Sequence, residues 1–168
     1  MEKNMKKILV ICLTMVMALS SSFTIYAQNY RMPDGTNVRE YVTDDSVSVL
    51  SSPRSALISS VSLELSQEGY RSVKAYSEIL CHIEMKEIRM SISLQRLDGS
   101  TWKTINSKDF EWIKDDYPDF NLSMATASYE VGSLSAGQYR IRTAFSVYEL
   151  DGSRHESRTS TSPTLTIN

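Results

Sequence analysis

The chain has 168 residues, with 18 Lys and Arg against 20 Asp and Glu, for a formal net charge of −2. That balance lacks the basic excess needed to grip a phosphate backbone, which excludes nucleic acid as a partner class. A hydrophobic content of 41% with 23% charged residues belongs to a folded chain, and 6 Gly with 2 His leave little for glycine-loop nucleotide sites or His-rich metal sites.

Residues 1–27 read as a secretory signal peptide. Lys3, Lys6 and Lys7 form a positive start, and Ile8–Leu19 is apolar apart from Cys12 and Thr14. Ser20–Ser22 end the run, and Ile25-Tyr26-Ala27 places a small residue at the cleavage point. The apolar run is shorter than the ~20 residues a spanning helix needs. Cys12 opens that run and follows Ile11, the wrong place for a lipid-attachment cysteine. We therefore expect a secreted, extracellular protein with no membrane association after cleavage. Cleavage takes three lysines and one glutamate and moves the net charge to −4, leaving one domain with a core that buries roughly two-thirds of its unfolded surface. It also leaves Cys81 as the sole cysteine, so no internal disulfide forms; its phase with Ile79 and Ile83 predicts a small buried side chain.

Residues 28–54 are polar, with a Pro33-Asp34-Gly35 turn signal and linker-like Asp44-Asp45 and Ser51-Ser52-Pro53; they are expected to be a linker or N-terminal arm. Val47 and Val49 alternate with serines and suggest one short edge strand. From residue 55 to 168 the dominant period is two. Val61, Leu63 and Leu65 share a face, as do Val73 to Ile83 in alternation and Ile88, Met90, Ile92 and Leu94. Asp98-Gly99 and Asp151-Gly152 mark tight hairpin turns. Tyr139, Ile141, Thr143, Phe145 and Val147 alternate with polar residues, and no stretch of ten residues reads better at period 3.6. The predicted fold is all-β, an antiparallel sandwich of seven to eight strands.

Leu134-Ser-Ala-Gly137-Gln-Tyr139 precedes the penultimate long strand and resembles the tyrosine corner of immunoglobulin-like sandwiches, in which the phenol bonds back across the preceding corner. Separately, the signal peptide, the hairpin Ile92–Trp102 and the segment Gly137–Arg142, with the trailing Asp151–Ser157 and Thr159-Ser160-Thr161, make the chain similar to a family of small secreted Gram-positive bacterial proteins of unknown function. The resemblance covers about residues 55–168. It implies an exported immunoglobulin-like sandwich and carries over no catalytic residues.

Catalysis needs a nucleophile with a base, paired carboxylates or a metal, and His82 and His155 have no such neighbours in sequence; the chain is expected not to be an enzyme. Asp115, Asp116 and Asp119 crowd one loop and offer hard oxygens to Ca²⁺, but they lack the alternating Asp-x-Asp-x-Asp-Gly spacing. No cofactor is expected, and a structural Ca²⁺ is the reading not favoured. Trp102, Trp112 and Tyr117 are candidate ligand-binding rings, with a core position as the other reading of Trp112, and Arg140 and Arg142 share one strand face able to meet an acidic polymer. The function expected is a non-catalytic extracellular interaction module for a protein or cell-surface polymer. The alternatives are a carbohydrate-binding sandwich using an exposed aromatic face and, behind it, a bacteriocin-like secreted toxin.

Overall fold

A computed structural model of the chain describes residues 26–168. The signal-peptide reading therefore falls outside the described residues except at its last two positions.

Alternation at period two becomes eleven strands in two antiparallel sheets. In chain order they are β1 (Tyr26–Arg31), β2 (Asn37–Val42), β3 (Ser46–Ser52), β4 (Ile58–Gly69), β5 (Ser72–Cys81), β6 (Met85–Asp98), β7 (Thr101–Ile113), β8 (Met124–Val131), β9 (Gly137–Glu149), β10 (His155–Thr161) and β11 (Leu165–Ile167). The first sheet runs β1-β2-β3-β4-β5-β8 and the second β10-β9-β6-β7. Strand β11 continues along the same edge of β9 as β10, with Thr161 opposite Arg142 and Leu165 opposite Tyr139. Pro163 interrupts that edge because it has no N–H to donate. Ser162 bridges the gap: the Ile141 N–H donates to its Oγ at 3.0 Å, and its own N–H donates to the Ile141 carbonyl at 2.9 Å.

Each sheet buries one face against the other, which is why the apolar residues alternate. Val61, Leu63, Leu65, Val73, Ala75 and Ile79 meet Ile88, Met90, Ile92, Leu94, Ile141, Phe145 and Val147 in one core. Within it, Ser77 and Thr143, one from each sheet, bond through their hydroxyls at 2.8 Å, and both are fully buried. The β6–β7 hairpin turns through Gly99 at φ +61°, where the aspartate–glycine pair supplies positive φ.

Tyr139 is buried, and its hydroxyl donates to the Ser135 carbonyl at 2.6 Å, closing the corner in front of β9. Leu134 plugs the core below. Gly137 stands at φ +153°, and a Cβ there would meet Arg96 Nε at 3.1 Å. That close approach is used, since the Arg96 guanidinium donates to the Ala136 carbonyl at 3.0 Å.

The polar stretch 28–54 is not a free arm. Its residues form most of β1, β2 and β3, which continue the first sheet outward from β4. Val38 of β2 and Val47 and Val49 of β3 are buried, the last two at period two, and they seat short strands whose other faces are polar. Residues 55–168 contribute the remaining eight strands.

Two charged side chains of β10 tie the second sheet to the first, Arg158 at the β1–β2 turn and Glu156 at the entry to β4. The Arg158 guanidinium donates to Thr36 Oγ1 at 2.6 Å and pairs with Asp34 at 3.2 Å. The Glu156 carboxylate accepts from the backbone N–H groups of Ala56, Leu57 and Ile58 at 3.2, 3.1 and 3.3 Å, and from the Ser55 hydroxyl.

Candidate functional site on the outer face of the four-stranded sheet

The same alternation that fills the core sends every second residue of β6, β7, β9 and β10 to the outside. Register places Gln95, Ser93, Ser91 and Arg89 of β6 opposite Arg140, Arg142, Ala144 and Ser146 of β9. On the other side of β6, Thr104, Ser107, Asp109 and Glu111 of β7 complete the rows. Small side chains occupy the middle, so the face is hollowed into an open groove of about 480 Å³. Ser91, Ala144 and Ser146 form its floor, with Arg89, Asp109 and Glu111 along the side.

A cation and a ring stand at each end of the face. At one end the Arg140 guanidinium lies 4.2 Å from the Trp102 ring centroid, and its Nε donates to Gln95 Oε1 at 2.9 Å. Partial burial and the like charge of Arg142 pull its pKa below the ordinary guanidinium value. No carboxylate pairs with Arg140 or Arg142 among the described residues, and Arg142 is exposed. At the other end Arg89 pairs with Glu111 at 2.8 Å and with Glu87, and lies 5.4 Å from the Tyr148 ring, which stacks on His155 at 5.1 Å. Eight residues of β9 separate the two ends, or about 27 Å.

Of the residues singled out in the sequence, Trp102, Arg140 and Arg142 come together here. Trp112 does not. It sits opposite buried Ile88, turns to the inner face, and stacks on Phe110 at 6.2 Å against the core. Tyr117 lies off the sheet in the loop after β7. The three rings therefore form no common platform. Phase alone did not separate them, because a bulge near Leu94 and Gln95 shifts the register between Trp102 and Trp112. Gln95 and the Tyr148–His155 stack were missed; their signal was an outward phase shared with Arg140 and Arg142.

Asp115 and Asp116 lie in a 3-10 turn, Lys114–Asp116, and Asp119 follows in the same loop, all exposed. No group of three His, Cys, Asp or Glu converges on a metal position among the described residues. The cation this loop wraps is its own. Lys114 Nζ donates to the Pro118 and Phe120 carbonyls at 2.8 and 2.6 Å and pairs with Glu84 at 2.6 Å.

His155 Nε2 lies 3.1 Å from Ser157 Oγ, which is 2.9 Å from Ser146 Oγ. The ring stacks on Tyr148, and no carboxylate hydrogen-bonds to it among the described residues.

Cys81 is half-buried against the core. Burial, with the negative charge of Glu156 nearby, pushes its thiol up to about 12. At pH 8 iodoacetamide is expected to label native Cys81 at least about a hundredfold more slowly than the urea-unfolded chain, because the thiolate is the reacting species. Equal rates in both states would show the thiol to be open.

No protein-family model matches the chain, and no curated protein matches it.

Proposed function

We propose that the chain is an exported, non-catalytic binding module whose outer face on the β10-β9-β6-β7 sheet engages an anionic, hydroxyl-rich cell-surface polymer. The single observation that carries this is the pair Arg140 and Arg142, which no carboxylate partners among the described residues, with Trp102 against Arg140, in the rows next along the face from the groove floored by Ser91 and Ala144. The exposed Arg142 guanidinium and the spare donors of half-buried Arg140 suit phosphate or carboxylate, and serine hydroxyls along a shallow floor suit a sugar backbone. The signal-like first 27 residues support export, and the motifs quoted above support kinship with the small secreted Gram-positive proteins.

We further infer an immunoglobulin-like sandwich for residues 55–168. Support comes from the Tyr139–Ser135 corner bond and from the way β6 and β9 pair at the centre of one sheet while β5 and β8 pair in the other. A sugar-binding aromatic platform has less behind it, since one face of Trp102 is occupied by Arg140 and Trp112 faces the core.

The test is co-sedimentation of residues 28–168 with Gram-positive cell wall, before and after removal of its teichoic acid. Saturable binding is expected at low salt, weakened about tenfold by Arg142→Glu and further by Trp102→Ala, and falling as salt screens the charges. A folded domain that ignores the wall, or binds it equally after Arg142→Glu, would sink the proposal.

A further inference from the structure

Eleven large apolar side chains stand exposed among the described residues, and six of them are at one end of the sandwich. Leu80 and Met124 face each other across the β5–β8 pairing, and Ile83 tips the β5–β6 turn. Tyr117 and Phe120 crown the loop after β7, each more than half exposed, and Leu150 follows Glu149, which pairs with Met85. This end is held firmly. The Cys81 N–H donates to the Ser123 carbonyl at 2.8 Å, the Met85 N–H to the Leu122 carbonyl at 2.9 Å, and Leu122 is buried. The Lys114 ammonium staples the loop to Glu84. Tyr117 and Phe120 are thus aimed outward by an anchored loop, and exposed apolar side chains gathered in one place mark an interaction surface.

The rim is acidic. Asp115, Asp116 and Asp119 are exposed and form no ion pair among the described residues, while the nearest cation, Lys114, is occupied by Glu84 and two carbonyls. Lys86 and His82 are the other basic side chains by this turn, and Arg154 is paired with Glu149. The geometry points to a docking surface for a protein partner that presents apolar anchors ringed by lysine or arginine. A second copy meeting this end symmetrically would bring carboxylates against carboxylates, and an anionic bilayer would be repelled in the same way. The surface is separate from the outer-face groove and does not depend on it.

The probe is a synthetic amphipathic peptide of leucine and lysine, titrated into the ¹⁵N-labelled full chain beside matched leucine–glutamate and serine–lysine peptides. The leucine–lysine peptide is expected to shift amides of residues 80–84, 114–124 and 150–154, and the other two are expected to leave them unmoved. Asp115→Lys with Asp116→Lys and Asp119→Lys is expected to weaken binding about tenfold, by the sum of three exposed ion pairs. Tyr117→Ser with Phe120→Ser is expected to abolish it with the spectrum of the rest of the domain unchanged. The proposal is overturned if these amides do not shift, if the shifts centre on the outer face, or if the charge-reversed variant binds equally well. It is also overturned if sedimentation shows a dimer that Phe120→Ser dissolves, because the surface then belongs to a second copy.

Discussion

Glu156→Ala is expected to destabilise the domain by about 2–4 kcal/mol, the cost of leaving several backbone donors without their charged acceptor. Glu156 sits on β10, yet its partners Ser55, Ala56, Leu57 and Ile58 are about a hundred residues earlier, where the chain enters β4. Three consecutive N–H groups pointing into one carboxylate form a concave anion seat. Here the seat is filled by the protein's own side chain and clips the last strands to the first sheet. Burial alone would raise the carboxyl's pKa. The bonds from Ser55, Leu57, Ala56 and Ile58 outweigh it and hold the pKa below the ordinary 4.5. As pH falls, the unfolded chain therefore takes up the proton first. The stabilisation is whole above 4.5 and is lost as pH falls through the folded value. Urea unfolding of wild type and Glu156→Gln at pH 7 and at pH 3 checks this, with the gap between them expected to narrow at the lower pH. Asp34, Glu84, Asp98, Glu149 and Asp151 are shifted the same way, but the Gln variant isolates the Glu156 share. An equal gap at both pH values would show that the carboxylate's charge is immaterial.

Thr143→Val is expected to cost about 1–3 kcal/mol although valine nearly matches threonine in shape, because it strands the Ser77 hydroxyl in the core. This is the only buried hydrogen bond between two side chains among the described residues, and it crosses from β5 to β9 between the sheets. Ser77→Ala should cost a similar amount for the same reason. The double variant should recover most of the loss, since two apolar groups facing each other leave nothing unsatisfied, giving a coupling of about 1 kcal/mol or more. Denaturant midpoints of the four proteins close the cycle. Strictly additive losses would mean that the two hydroxyls do not depend on each other.

Much of the fold was legible because a strand with one buried face must alternate, and Val61–Leu65, Ile88–Leu94 and Tyr139–Val147 do so without interruption. The two Asp-Gly turns and the Leu134–Tyr139 corner were legible because few residues tolerate those backbones. The N-terminal strands were read only in part. Val47 and Val49 announced β3, but β1 and β2 carry mixed polar sequences whose strand form depends on an existing edge at β3 to extend. The candidate site was readable at Arg140, Arg142 and Trp102, while the sequence left Trp112 open between a core position and the binding face. The bulge between Trp102 and Trp112 changes their relative phase, and a bulge is a property of the pairing of two strands.

Alternation and turn chemistry, which act within a few residues, determined by sequence alone that this chain forms antiparallel sheets with one buried face each. Tertiary structure decided which polar groups meet. It set Glu156 in the seat at residues 55–58, paired Ser77 with Thr143, laid Arg140 on Trp102 and turned the Asp115–Asp119 loop around Lys114. Those contacts join residues 4 to 101 positions apart, and their geometry is set by how two sheets pack and register, which no local pattern encodes.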